Sequence, residues 1–165
     1  MGLSGIDGGI LEATMKNESL GFVGDITKVR TQPIIDLLEK GYIPVGSTVA
    51  SDRQGNVYNI NGDTAAAVNA GSLQAERMIL MTDIAGILRD KDDPNSLIPE
   101  LTVSQARQLF YDGVISGGMI PKVECCIEAI EHGVKHVVIM DGRVPHSILM
   151  ELLTAEGAGT MVKGG

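Results

Sequence analysis

At 165 residues the chain is long enough to bury a core of its own. Hydrophobic residues make up 44% and charged residues 21%, which excludes a disordered polyelectrolyte. A formal charge of −8, a pI near 4.8 and 3% aromatic residues with no Trp argue against nucleic acid as a partner, because basic faces and stacking platforms are both scarce.

Residues 2–9 form a glycine-punctuated loop that Met1 enters at once, as though the chain begins within a fold. Residues 10–14 and 21–29 have strand composition. Pro33 opens a helix that buries Ile34, Ile35, Leu37 and Leu38 and stops at Gly41. Residues 42–50 read as one strand, followed by the polar turn Asp52-Arg53-Gln54-Gly55-Asn56 and a brief extended piece at 57–60. Asn61-Gly62-Asp63 leads into an alanine-rich helix from Thr64 to about Leu73, with Asp63 at the N-cap. Residues 77–81 form a short apolar run, the composition of a fully buried parallel strand, and Thr82-Asp83-Ile84-Ala85-Gly86 follows at its end.

A charged turn spans 91–94, and Thr102 caps a helix over 103–111 that Asp112-Gly113 closes. A second buried strand at 136–140 precedes Asp141-Gly142, a last helix runs over 146–153, and Thr160-Met161-Val162 reads as an edge strand. No apolar stretch has the length of a membrane span, and the N-terminus shows no signal or transit pattern. Strands alternating with helices, without repeat or linker, imply one domain over 1–165 of the α/β class. The expected architecture is a three-layer αβα sandwich with a mostly parallel central sheet. Ligands bind such sheets at the carboxyl ends of the strands. The loops there, 59–63, 82–86, 114–122 and 141–143, are the ones richest in Gly, Asp, Asn and Lys.

The sharpest local signal is the loop around Gly117-Gly118. Adjacent glycines permit a tight turn or a close approach. Pro121 then sits in a first helical turn, and Val123, Cys126, Ile127 and Ile130 supply the apolar stripe. Lys122 would lie beside orphan amide groups and the positive end of a helix dipole. A cation is disfavoured there unless an anion, typically phosphate, bridges both. A helix start with a solvated lysine fits the same residues. Cys125 and Cys126 point about 100° apart on a helix, which suits neither a metal pair nor a structural disulfide. They read as core thiols of a reducing compartment. His132 and His136 have no partner pattern.

Several segments in order carry a resemblance. They are Gly41-Tyr42-Ile43-Pro44-Val45, Asn59-Ile60-Asn61-Gly62-Asp63-Thr64-Ala65-Ala66, Leu80-Met81-Thr82-Asp83-Ile84-Ala85-Gly86-Ile87-Leu88 and Gly117-Gly118-Met119-Ile120-Pro121-Lys122. Together they resemble the amino-acid kinase family, and within it the branch that phosphorylates N-acetyl-L-glutamate with ATP in arginine biosynthesis. The tail, Asp141-Gly142-Arg143, His146-Ser147 and Glu156-Gly157-Ala158-Gly159-Thr160-Met161, resembles the arginine-inhibited plant and cyanobacterial kind. The resemblance covers nearly the whole chain but only the family's C-terminal half: the ATP-binding lobe plus the end of the N-terminal lobe. The family's Lys-x-Gly-Gly strand end, Gly-rich loop and substrate-binding arginine have no counterpart here. The N-terminal part of the fold, with a second catalytic lysine, is therefore expected to be missing. Ile6 stands where many relatives have lysine, and Gly62 where alanine is usual.

The resemblance implies a role for each matching residue. Lys122 would stabilise the transition state, and Asp63 would orient the catalytic lysines by a charge-assisted bond. Asn59 would bind the substrate through an amide that both donates and accepts. Asp83, Ile84, Ala85, Gly86, Ile87 and Leu88 would form the ATP site together with Val114, Ile115 and Ser116. Mg²⁺ would be held chiefly by the phosphates, with no protein metal cage. His146, Glu156 and Gly159 would contact an arginine effector. The attacking group is a carboxylate, already anionic, so the reaction needs alignment and charge neutralisation more than a base. The complete protein is expected to be a homo-oligomer in the cytoplasm, or in the plastid stroma of a plant or alga, with no nucleic-acid or membrane partner. The chain alone is expected to be inactive. A rival reading is a non-catalytic module that holds a nucleotide or arginine. A nicotinamide-binding domain would need a Gly-x-Gly-x-x-Gly turn after the first strand, and none is present.

Overall fold

Residues 1–165 are described by a computed structural model, in which the chain divides into two units, Met1–Leu73 and Gln74–Gly165. Both mix strands and helices, as an α/β chain should, and parallel strand pairs occur in each.

The first unit runs β1 (Gly2–Ser4), β2 (Leu11–Met15), β3 (Gly24–Val29), α1 (Gln32–Glu39), β4 (Val45–Ser47), β5 (Val49–Ser51), β6 (Val57–Asn59) and α2 (Gly62–Ser72). Strands β1 and β4 pair in parallel as a separate two-stranded sheet, and the others form a sheet in the order β3-β2-β5-β6. Two sequence expectations change here. The opening loop contains a strand, because Gly2 to Ser4 align with Val45 to Ser47 and the Val45 amide donates to the Met1 carbonyl at 2.9 Å. The strand expected over 42–50 breaks at Thr48, where the chain changes sheets: β4 pairs with β1, whereas β5 pairs with β6 and β2. Composition is nearly the same on both sides of that break, Val-Gly-Ser before it and Val-Ala-Ser after it, so it carries no trace of the change of partner. Ile10, Leu11, Ala13, Ala50, Tyr58, Ile60 and Ala65 form the core. The turn after β5 is tied by Asp52, whose carboxylate accepts from the Gln54 and Asn56 amides (2.9 Å each), the Asn56 side chain (2.7 Å) and the Tyr58 hydroxyl (2.8 Å).

The second unit comprises β7 (Arg77–Thr82), β8 (Glu100–Thr102), α3 (Val103–Tyr111), α4 (Met119–Glu131), β9 (His136–Asp141), α5 (Ser147–Leu153) and β10 (Gly159–Lys163). Its sheet has the order β7-β9-β10-β8. β7 and β9 run parallel from Arg77↔His136 to Thr82↔Asp141, and β10 inserts antiparallel to β9 and parallel to β8. The strand read as an edge is thus an inner one, and the edges of this sheet are β7 and β8. Val137, Val138, Ile139 and Met140 are all at 0% exposure, covered on both faces as a continuous apolar run requires. Helices α3 and α4 pack on the sheet. Thr102 and Gln105 close a full capping box at the start of α3. Helix α4 begins two residues ahead of Pro121, which costs nothing because the first four amides of a helix lack intrahelical partners. Cys125 and Cys126 are both buried on α4. No helix is long and apolar enough to cross a membrane.

Candidate active site

In the first unit, β6 delivers Asn59 to the mouth of α2. Asn59 is exposed, and its backbone N–H donates to the Phe22 carbonyl at 2.8 Å. The cap of α2 is Asn61 and not Asp63: the Asn61 side-chain oxygen accepts from the Thr64 amide at 3.1 Å, and the helix starts at Gly62. Asp63, half-buried, therefore sits inside the first turn, where the positive end of the dipole favours a carboxylate. With Asn61 providing the cap, Asp63 is not required as one.

In the second unit the chemistry gathers at the carboxyl ends of the parallel pair β7 and β9. Their last residues, Thr82 and Asp141, are register partners, so the two following loops emerge side by side. The Thr82 hydroxyl accepts from the Ile84 amide at 3.0 Å and turns the chain. Arg143 then locks one loop to the other. Its Nε and Nη2 donate to Asp141 Oδ1 and Oδ2 at 2.9 and 2.8 Å, and Nη2 also donates to the Asp83 carbonyl. The Arg143 backbone amide donates to Asp141 Oδ1 as well. The Arg143 guanidinium and amide hold the Asp141 carboxyl down at about 2. The sequence placed 141–143 among the loops at the strand ends but gave neither side chain a role of its own.

The sign of that shift gives a first prediction. A carboxylate depressed in the folded state contributes stability above its ordinary range and loses it as pH falls through the folded value. The Asp141–Arg143 fork should thus persist to about pH 2. A carboxyl NMR titration should place the Asp141 midpoint there and return it to the ordinary carboxylate range in Arg143→Ala. A midpoint already in the ordinary range in the unsubstituted chain would show that the fork does not form.

Along the remainder of the first loop, Asp83 and Ala85 are exposed, Ile84 and Leu88 are half-buried, and Gly86 and Ile87 are buried. Gly86 has φ +148, and a Cβ there would lie 2.5 Å from the Thr160 hydroxyl. The other predicted nucleotide segment lies between α3 and α4. The amides of Val114 and Ile115 both donate to the Leu109 carbonyl (3.0 and 3.2 Å). Val114 is half-buried, Ile115 buried and Ser116 exposed. Gly117 takes φ +57, and the amides of Met119 and Ile120 fold back onto the Ser116 and Gly117 carbonyls (3.3 and 3.2 Å). The orphan amides expected at this helix start are therefore engaged. Lys122 is half-buried at the fourth position of α4.

The residues matched to an effector site separate. Glu156 and Gly159 line one cavity of about 400 Å³ together with Arg77 and Glu151. His146 stands apart from its walls, exposed at the start of α5 with φ +62. Glu151, buried with Ser147 on the inner face of α5 while the apolar residues of that helix are exposed, accepts from the Ala158 amide at 2.9 Å, and Arg77 Nη1 donates to the Glu151 carbonyl at 3.1 Å. A lone carboxylate in the run Ile148-Leu149-Met150-Glu151-Leu152-Leu153 was the overlooked cue.

Parallel strands with loops gathered at their carboxyl ends define an α/β chain, and the sequence comparisons give its family. Residues 1–141 match the model of the amino acid kinase family, and the chain belongs to that family. It is 54% identical over 165 residues to the acetylglutamate kinases of Synechococcus sp. (strain RCC307) and Thermosynechococcus vestitus, covering 99% of this chain and 56% of each relative. The chain thus spans about half the length of the curated relatives it matches. Its structure is similar to that of N-acetylglutamate synthase from Neisseria gonorrhoeae complexed with coenzyme A and L-arginine. The TM-score there is 0.85 at 27% identity, over 99% of this chain and 38% of that one. Carbamate kinase from Giardia lamblia bound to AMP-PNP shares the fold, with a TM-score of 0.64 at 20% identity over 87% of this chain and 47% of its own.

Proposed function

We propose that this chain is the nucleotide-binding part of a kinase that transfers the γ-phosphoryl of ATP to the γ-carboxylate of N-acetyl-L-glutamate. The observation that carries the reading is the 54% identity to acetylglutamate kinases over 99% of the chain. On this reading the unit Gln74–Gly165 is the ATP lobe and Met1–Leu73 the end of the substrate lobe. Asp83 to Leu88 and Val114 to Ser116 contact the nucleotide, and Mg²⁺ is carried on its phosphates. Lys122 neutralises charge on the transferring phosphoryl, Asp63 orients the family's catalytic lysines, and Asn59 bonds the acyl amino acid. The second lysine and the rest of the substrate pocket belong to the part of the relatives' length that lies outside this match.

The same reading makes arginine an effector. The solved synthase, 27% identical, was crystallised with L-arginine, which supports an arginine effector; Glu156 and Gly159 share one cavity that could receive it, and His146 would have to contact it from outside those walls. It also makes the full-length protein a homo-oligomer working in the cytoplasm or the plastid stroma.

The test is acyl-phosphate production from ATP·Mg²⁺ and N-acetyl-L-glutamate, trapped with hydroxylamine. The 165-residue chain should give background product alone and should turn over when mixed with a separately produced N-terminal half. Full turnover by the chain alone would show that the second lysine is dispensable and sink the mechanism. Turnover only with a different acylated amino acid would sink the substrate assignment.

A further inference from the structure

We infer that Thr160 is a positioning residue for the nucleotide-facing loop 83–88, acting through its hydroxyl; the inference rests on the nucleotide reading of that loop. Thr160 lies on the inner strand β10 at 0% exposure, one of few fully buried polar side chains. Its hydroxyl accepts from the Ile87 amide at 2.8 Å and donates to the Ile98 carbonyl at 2.7 Å. Ile87 and Ile98 open a small antiparallel pair. The Ile98 amide donates to the Ile87 carbonyl (2.9 Å), Leu88 bridges Leu97, and the Arg89 amide donates to Ser96 (2.9 Å). The rung that would return from the Ile87 amide to the Ile98 carbonyl is taken by the Thr160 hydroxyl, inserted between them.

The room for that insertion comes from glycine on both sides. At Gly86 a Cβ would stand 2.5 Å from the hydroxyl and 3.0 Å from the Thr160 amide. At Gly159 a Cβ would stand 2.1 Å from the Ile139 carbonyl, so β10 seats against β9 at close range. The hydroxyl thereby inherits its position from the most buried strand of the unit and passes it to Ile87, 73 residues away in sequence. Arg143 holds the opposite end of the loop at the Asp83 carbonyl. Between the two anchors, the exposed backbone at Asp83 and Ala85 has little freedom to depart from one conformation.

Thr160→Val keeps the side-chain shape and removes the hydroxyl, leaving a buried N–H and a buried C=O without a partner; Thr160→Ser keeps the hydroxyl. In the full 165-residue chain, amide exchange over residues 84–88 should rise roughly ten-fold or more in the valine variant and stay near the unsubstituted rate in the serine variant. The dissociation constant for a fluorescent ATP analogue with Mg²⁺ should rise roughly ten-fold in the valine variant and recover in the serine one. Unchanged exchange in Thr160→Val overturns the proposal, and so does faster exchange with unchanged nucleotide affinity, which would leave the bond merely structural. Binding by none of the three chains would sink the nucleotide reading, and the proposal with it. If the valine variant does not fold, the unsubstituted chain still decides. Its Ile87 amide should be protected like the amides of β9, and exchange as fast as at Asp83 or Ala85 overturns the anchor.

Discussion

Replacing Lys122 with alanine in the full-length protein should slow phosphoryl transfer by roughly 10²- to 10³-fold, with a smaller loss of nucleotide affinity. The expectation follows from how α4 begins. The amides of Met119 and Ile120 already donate to the Ser116 and Gly117 carbonyls, and Pro121 has none to offer. The helix start alone is therefore a poor anion cradle, and on the proposed kinase reading the positive charge comes from the Lys122 ammonium. A donor aimed at charge that develops in the transition state acts on kcat more than on KM. Arginine should not restore the rate, because its planar fork presents charge in a different geometry from a compact ammonium. Steady-state kinetics with ATP as the varied substrate check this. Unchanged kcat with only a raised KM for ATP would place Lys122 in ground-state binding.

The largest stability effect is expected at Gly159. In Gly159→Ala the new Cβ would lie 2.1 Å from the Ile139 carbonyl oxygen, 3.0 Å from its carbon and 2.7 Å from the Met140 Cβ. Two of those atoms are backbone of β9, whose residues Val137 to Met140 are all at 0% exposure, so no flexible side chain can swing away. Overpacking of a core costs about 1–3 kcal/mol, and a clash with backbone inside a sheet belongs at or above the upper end of that range. Urea denaturation should show a midpoint well below that of the unsubstituted chain. Gly164→Ala serves as the control, since its Cβ would meet only the Ile130 Cγ2 at 3.8 Å. Equal midpoints for all three chains would show that β10 does not seat on β9 in this register. The result also bears on the effector reading. Gly159 has a packing reason to be glycine, so its contribution to any arginine contact has to be tested by substitutions on its neighbours in the cavity, Glu156 and Arg77.

What the sequence determined by itself was whatever depends on near neighbours. The capping residue Thr102, the stop at Gly41, the apolar runs of β7 and β9, and the loops that follow them are written in short windows. Their side chains act on backbone a few residues away. The order of the motifs is likewise a property of the chain alone, and it carried the family. The tertiary structure decided which strands pair and which distant groups meet. Val45 and Val49 have the same strand propensity but belong to different sheets, because partner choice depends on surfaces elsewhere in the chain. Thr160 looked like part of an edge strand, and only the insertion of β10 between β9 and β8 buried its hydroxyl against Ile87. Arg143 reads locally as a surface arginine, and its reach to the Asp83 carbonyl exists only because β7 and β9 end in register. A hydrogen bond between residues 60 or 73 positions apart leaves no periodicity in the chain. The fold must form before either partner can find the other.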